Sequence, residues 1–250
     1  MFKNEVDRVS QAAADKVRFL MENPGGYFAS SLMAGMYIGF GILLSFTIGS
    51  MGSLPLMKLF MGMSFACALS LVVMAGAELF TGNNMVMATG FLKKTVSAKE
   101  VLKLWLICYV GNWLGSILLA WIFSRTGLMT EAFCETVAKA AAAKVSIPFG
   151  ALLLRATLCN MLVCVAVWCS IKMTSESGKL IMIFWIIVIF FTAGFEHSVA
   201  NMELLSLDFM APNTAMTMGS YLYNILTATL GNMIGGVFFV AVPYTLMAKK

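Results

Sequence analysis

The sequence predicts an all-α membrane protein: six transmembrane helices in two halves of three, with the second and fifth helices broken inside the membrane. Three observations carry this. The chain is 60% hydrophobic and 12% charged over 250 residues, whereas about a quarter of the residues of a soluble domain are charged. Its apolar stretches are long enough for helices that cross a bilayer, which takes roughly 20 residues each. Polar groups also recur at one offset. Glu78 and Glu196 are 196 − 78 = 118 positions apart, and each precedes an asparagine, Asn83 or Asn201, by five. Gly111-Asn112-Trp113-Leu114-Gly115 returns as Gly231-Asn232-Met233-Ile234-Gly235 at 231 − 111 = 120. Three spans per half is an odd number, so the halves run in opposite directions. That is the inverted-repeat plan of transporters and channels, with the path between the halves.

Residues 2–22 set Val6, Val9, Ala13, Val17 and Leu20 at helical spacing among charges. This reads as an amphipathic helix at the membrane interface or a solvated one. The mix of Lys3, Glu5, Asp7, Arg8, Asp15, Lys16 and Arg18 is not the form of a cleavable signal peptide. Pro24-Gly25-Gly26 ends the helix. The first span runs over 27–48, and residues 49–55 turn the chain. The second, 56–92, is too long for one crossing, and its tail Glu78-Leu79-Phe80-Thr81-Gly82-Asn83-Asn84 reads as a break. The third covers 101–123, residues 124–146 form the longest loop, and the remaining spans cover 147–171, 180–209 and 218–247. The fifth contains Gly194-Phe195-Glu196-His197-Ser198-Val199-Ala200-Asn201-Met202, with the only histidine of the chain.

Basic residues set the orientation. Lys3, Arg8, Lys16, Arg18, Lys93, Lys94, Lys99, Lys172, Lys179, Lys249 and Lys250 fall on one side; Arg125, Lys139 and Lys144, with Lys58 near its boundary, fall on the other. The richer side is cytoplasmic by the positive-inside rule, so both termini are expected there.

Ionisable groups inside hydrocarbon are costly and mark function by default, although buried polar residues also lock helices together. With the two breaks face to face, one offers Thr81 and the other His197. Half-helix N-termini favour anions, and imidazole is the side chain that changes charge near neutral pH. A small weak-acid anion suits such a pore better than a cation, which would want several carboxylates together. Glu78 and Glu196 either take part or, as the stronger reading, cap the backbone of their own loops. Asn160 is a candidate to orient the imidazole or to act as interhelical glue, and Arg155 is expected to pair with an acid or carbonyls. Lys144 stands before the fourth span, as a lure for anions or as an ordinary loop lysine.

Several classes are excluded or disfavoured. No metal site or cofactor is expected from one histidine and six scattered cysteines, which read as small buried hydrophobes rather than disulfide partners. The net charge of +5 does not suggest nucleic acid. An intramembrane protease would need a Gly-x-Ser-x-Gly setting or paired histidines. An aquaporin-like channel for small neutral solutes is the alternative, without any Asn-Pro-Ala repeat to support it.

Three stretches together resemble the signatures of the formate/nitrite transporter family: Glu78-Leu79-Phe80-Thr81-Gly82-Asn83, Leu158-Cys159-Asn160-Met161-Leu162-Val163-Cys164 with Ala166-Val167-Trp168, and Gly194 to Met202. The resemblance runs from Asn23-Pro24 to the sixth span and touches both the nitrite and the hydrosulfide channels of that family. It implies an aquaporin-like fold, a homopentamer with one pore per protomer, and residence in a prokaryotic cytoplasmic membrane. By position it implies His197 as the central pore histidine, Thr81 on the mobile loop, Asn160 contacting the histidine, and Lys144 in the vestibule. It implies apolar constrictions at or beside Phe65, Leu69, Leu79, Phe80 and Phe190. Met57, Met61, Met63 and Met74 depart from the family by making the pore-side stretches methionine-rich. Residues 1–26 would then be a cytoplasmic helix and 27–250 the channel domain, with repeats at about 27–123 and 147–247. The transported species would be formate, nitrite or hydrosulfide, with His197 coupling permeation to proton transfer.

Overall fold

The structure is a computed structural model that describes residues 2–212 and 214–248; Lys249 and Lys250 of the charge argument lie outside the described residues. Ten helices make up the described chain: α1 (Lys3–Glu22), α2 (Pro24–Ser50), α3 (Met57–Ala75), α4 (Phe80–Leu92), α5 (Ala98–Ser124), α6 (Glu131–Val145), α7 (Phe149–Lys172), α8 (Glu176–Ala193), α9 (Ser198–Met210) and α10 (Met218–Met247). The stretch Val237–Ala241 of α10 winds as a π-helix. Six of them, α2, α3, α5, α7, α8 and α10, are long and apolar enough to cross a membrane. The short helices α4 and α9, 13 residues each, complete the second and fifth spans.

The two breaks are built alike. Helix α3 ends on Gly76 at φ +76° and α8 on Gly194 at φ +82°, again 194 − 76 = 118 apart. That left-handed conformation costs an L-residue about 1–2 kcal/mol, so glycine is the residue that stops a helix there. The chain then extends through Leu79 and His197 before helix resumes at Phe80 and Ser198. The breaks are therefore shorter than the polar signature suggests: Thr81, Gly82, Asn83 and Asn84 already lie in the first turns of α4.

Packing within each half rests on the two Gly-Asn-x-x-Gly motifs. A Cβ on Gly115 would lie 2.0 Å from the Leu32 carbonyl oxygen, and one on Gly235 would lie 2.2 Å from that of Thr157. Only a missing side chain lets α5 approach α2, and α10 approach α7, this closely.

Two elements differ from expectation. The apolar face of helix α1 is docked on the other helices: Val6, Val9, Ala13, Val17 and Leu20 are buried in one cluster with Phe80, Met85, Val86 and Val101, and Ser10 Oγ pairs with Thr95 Oγ1 at 2.8 Å. Residues 124–146 contain a helix, α6. Thr130 caps it by accepting from the Phe133 N–H at 3.3 Å, Glu131 opens its first turn and Lys144 closes its last.

Candidate permeation site

Each half-helix begins with backbone N–H groups that have no partner of their own inside an apolar core. The asparagines of the repeated motif satisfy them. Asn112 Oδ1 accepts from the Phe80 N–H and Asn232 Oδ1 from the Ser198 N–H, both at 2.9 Å. Each amide then donates backward to two carbonyls: Asn112 to Ser31 (2.7 Å) and Glu78 (2.9 Å), Asn232 to Ala156 (2.8 Å) and Glu196 (3.0 Å). One side chain thus ties the break, the start of the half-helix and the neighbouring long helix together. The glutamates do not cap their own loops, as the sequence reading had it, because the asparagines occupy that role.

His197 completes the second cap. Its Nδ1 accepts from the Ala200 N–H at 3.1 Å. A nitrogen that accepts carries no proton, so the neutral imidazole has its hydrogen on Nε2. Nε2 lies 3.1 Å from Thr81 Oγ1, a contact between the two half-helices. Asn160 makes no hydrogen bond to the imidazole. Its Nδ2 donates to the carbonyls of Thr81 (3.2 Å) and Asn232 (2.7 Å) and to Asn84 Oδ1 (3.0 Å). It therefore fixes the half-helix that carries Thr81, while the tautomer of His197 is set by the backbone of α9.

A cavity of about 400 Å³ opens on either side of this contact. His197 and Lys144 line the first, with Lys58 and Lys139. Its inner wall holds Phe65 and Phe190, whose centroids are 6.0 Å apart, and Phe190 stacks on the imidazole at 6.0 Å. Lys16, Glu78, Gly82, Asn83, Leu69 and Leu79 line the second. Phe80 faces neither: it packs edge-on against Tyr109 at 5.0 Å. Of the four methionines, Met61 lines a cavity, while Met63 and Met74 are exposed on the outside.

The acids of the breaks are held by lysines. Lys144 Nζ donates to both Glu196 oxygens at 2.8 Å, and Asn201 Nδ2 donates to Oε2 at 2.8 Å. On the other side Lys16 Nζ donates to Glu78 Oε1 at 2.6 Å, and Asn83 Nδ2 to Oε2 at 2.9 Å. The geometry puts one lysine–glutamate–asparagine cluster at each cavity. Arg155 is exposed and forms no ion pair among the described residues; only its carbonyl is used, by the Glu196 N–H at 3.4 Å.

Sequence reasoning missed three residues here. Asn112 and Asn232 stood in a recognised repeat without a role. Lys16 had a signal: a buried acid at position 78 needed a cation, and residue 16 flanks the apolar stripe of α1.

Six apolar helices, two half-helices meeting at their N-termini, and a cavity on each side of the meeting point define a membrane channel or transporter. A family model described as "Formate/nitrite transporter" matches residues 3–246. The nitrite transporter NirC of Salmonella typhimurium is 36% identical over all of this chain and 93% of its own length. The formate channel BtFdhC of Bacillus thuringiensis is 33% identical over 87% of this chain and 85% of its own. Among solved structures, an "FNT family ion channel" superposes with a TM-score of 0.94 at 35% identity over the whole of both chains. A "Pentameric formate channel with formate bound" superposes at 0.79 and 27% identity over 89% of this chain and 96% of that one. The chain belongs to the formate/nitrite transporter family, a family of transporters and not of enzymes.

Proposed function

We propose that this protein conducts formate and nitrite, with hydrosulfide as a third substrate, across a prokaryotic cytoplasmic membrane as a homopentamer with both termini in the cytoplasm. The observation that carries the reading is the His197–Thr81 contact of 3.1 Å between two cavities that each hold a lysine. The names of the relatives support the substrates, and the bound pentameric structure supports the assembly. Residues 1–26 form the cytoplasmic helix and 27–250 the channel body, although α1 is packed into that body.

The mechanism follows from the site. Lys144, with Lys58 and Lys139, raises the local concentration of anions in the first cavity. Lys16 does the same in the second. Phe65 and Phe190 on one side, and Leu69 and Leu79 on the other, exclude water and make a bare charge expensive. The anion takes a proton from water in the first cavity, crosses as its neutral acid while accepting a hydrogen bond from His197 Nε2 or Thr81 Oγ1, and returns the proton to water in the second. Coupling to His197 operates through this donor. Taking up a second proton on Nδ1 would cost the imidazole its bond to the Ala200 N–H.

Purified protein in liposomes, assayed with formate, nitrite, hydrosulfide, acetate, chloride and an osmotic water step, tests the proposal. Anion-driven flux with alkalinisation outside is expected for the weak acids and not for chloride. Water flux without weak-acid flux would instead establish the neutral-solute channel.

A further inference from the structure

Glu203 lies in the second turn of α9 with 0% of its surface exposed, and among the described residues neither carboxyl oxygen has a hydrogen-bond partner. The other acids of the two half-helix regions are partnered. Glu78 and Glu196 each hold a lysine and an asparagine, and Asp208 accepts from Thr214 at 3.0 Å. The mechanism above makes no use of Glu203.

Its carboxyl fills the seam where α9 meets α2 and α5. A Cβ on Gly39 of α2 would sit 2.6 Å from Glu203 Oε2 and 2.5 Å from Leu119 Cδ2 of α5. The buried faces around that point carry Gly35, Ile38, Ile42, Ser116 and Ala120, with no charge. Ser116 Oγ is itself buried and without a partner. Among the other packed elements, α6 brings Lys144, which is bonded to Glu196. Helix α10 brings Tyr221, whose hydroxyl lies 3.0 Å from Ser206 Oγ of α9. On α9 itself the next acid is Asp208. Among the described residues no cation and no backbone N–H is bonded to the carboxyl.

An ionised carboxylate with neither counter-ion nor donor is far costlier in such a place than a neutral one. A neutral carboxylic acid carries one O–H, which can donate to a helix carbonyl. We propose that Glu203 holds a resident proton: as a neutral acid it ties the half-helix carrying His197 into the seam of α2 and α5, and losing that proton to solvent at alkaline pH loosens the half-helix and stops flux. The protonation state stands independently of which anion permeates, and the readouts separate the two.

Infrared spectroscopy of the protein reconstituted in D₂O reads the proton directly. The wild type shows the carbonyl stretch of a protonated carboxylic acid at neutral pH, and Glu203→Gln lacks it. As pH rises the wild-type band disappears, and over the same range thermal stability falls and formate flux drops severalfold. Glu203→Gln, whose amide cannot ionise, keeps its stability, and its flux falls only as the supply of neutral acid falls. Identical spectra for the two proteins at neutral pH would overturn the proposal. So would a Glu203→Gln protein that loses stability over the same pH range as the wild type. If Glu203→Gln does not fold, Glu203→Met fills the same space without a titratable group and takes its place. The wild-type band and its coincidence with the stability loss are read without any variant, and a band that outlasts that loss also refutes the idea.

Discussion

Replacing Asn232 by alanine removes three hydrogen bonds at a site with no exposure. The Ser198 N–H loses its acceptor, and the carbonyls of Ala156 and Glu196 lose their donor. A buried polar group left without a partner costs about 1–3 kcal/mol. Ala156 sits inside α7 and keeps the helical bond of its carbonyl, so two groups bear the loss, the Ser198 N–H and the Glu196 carbonyl. The sum is about 3 kcal/mol, roughly a hundredfold in the folded-to-unfolded ratio. For a chain of this size it corresponds to roughly 6–12 °C in melting temperature. Cys108, Cys159 and Cys164 are free and buried, so a thiol-reactive fluorophore reports unfolding of the detergent-solubilised protein without added labels. Asn112→Ala, which strips the matching cap from Phe80, is expected to cost as much. Asn232→Asp keeps an acceptor for Ser198 and should fall between. A shift below about 1 °C for both alanine variants would mean that the half-helices do not depend on these caps, and the account of the breaks would fail.

Two further outcomes are expected. His197→Ala should lose about 1 kcal/mol of cap stability together with most of the flux, while His197→Asn, itself a good N-cap residue, should regain the stability and keep the pH dependence of the remaining flux; loss of pH dependence in His197→Asn, measured in liposomes, would show that the imidazole itself relays the proton. Lys16→Ala leaves the Glu78 side chain, 12% exposed, without its cation, and breaking such a pair costs about 3–5 kcal/mol; adding Glu78→Gln should restore most of the stability, and a double variant no better than the single one would remove the Lys16–Glu78 pair as its cause.

The spans were legible because hydrocarbon imposes one requirement, about 20 apolar residues in helix, and α2, α5, α7 and α10 meet it plainly. The existence of the breaks was legible from Glu78 and Glu196, whose cost inside a span had to have a reason. Their length was not. It depends on Asn112 and Asn232, more than 30 residues downstream of Glu78 and Glu196, which let helix resume at once by accepting from Phe80 and Ser198. Helix α6 was hidden because its buried face is narrow, Phe133, Val137 and Ala141 at four-residue spacing, within an alanine- and charge-rich segment too polar to span a membrane. The docking of α1 was hidden for a different reason: an amphipathic helix shows that it has an apolar face, not what that face covers. A position in a motif does not fix a side-chain direction: the Phe80 ring, next to Leu79, packs on Tyr109.

The offset of 118 separates what holds the fold from what acts in it. Gly76 and Gly194, Glu78 and Glu196, and Asn83 and Asn201 correspond across the two halves, and all of them shape a break or brace it. The two residues in contact at the centre do not correspond. His197 matches Leu79, since 197 − 79 = 118, and Thr81 matches Val199, since 199 − 81 = 118. Leu79 occupies the same extended position before its half-helix as His197 does, but offers no acceptor to it. Two-fold scaffolding thus brings two N-termini together, and each half supplies one polar group where the other supplies an apolar one. A symmetric centre would place two imidazoles or two hydroxyls at the crossing and widen the polar zone at its narrowest point. With the polar groups unshared, a single donor pair spans the crossing while Leu79, at the wall of the second cavity, keeps its side apolar, which is the condition the proposed passage of a neutral acid sets.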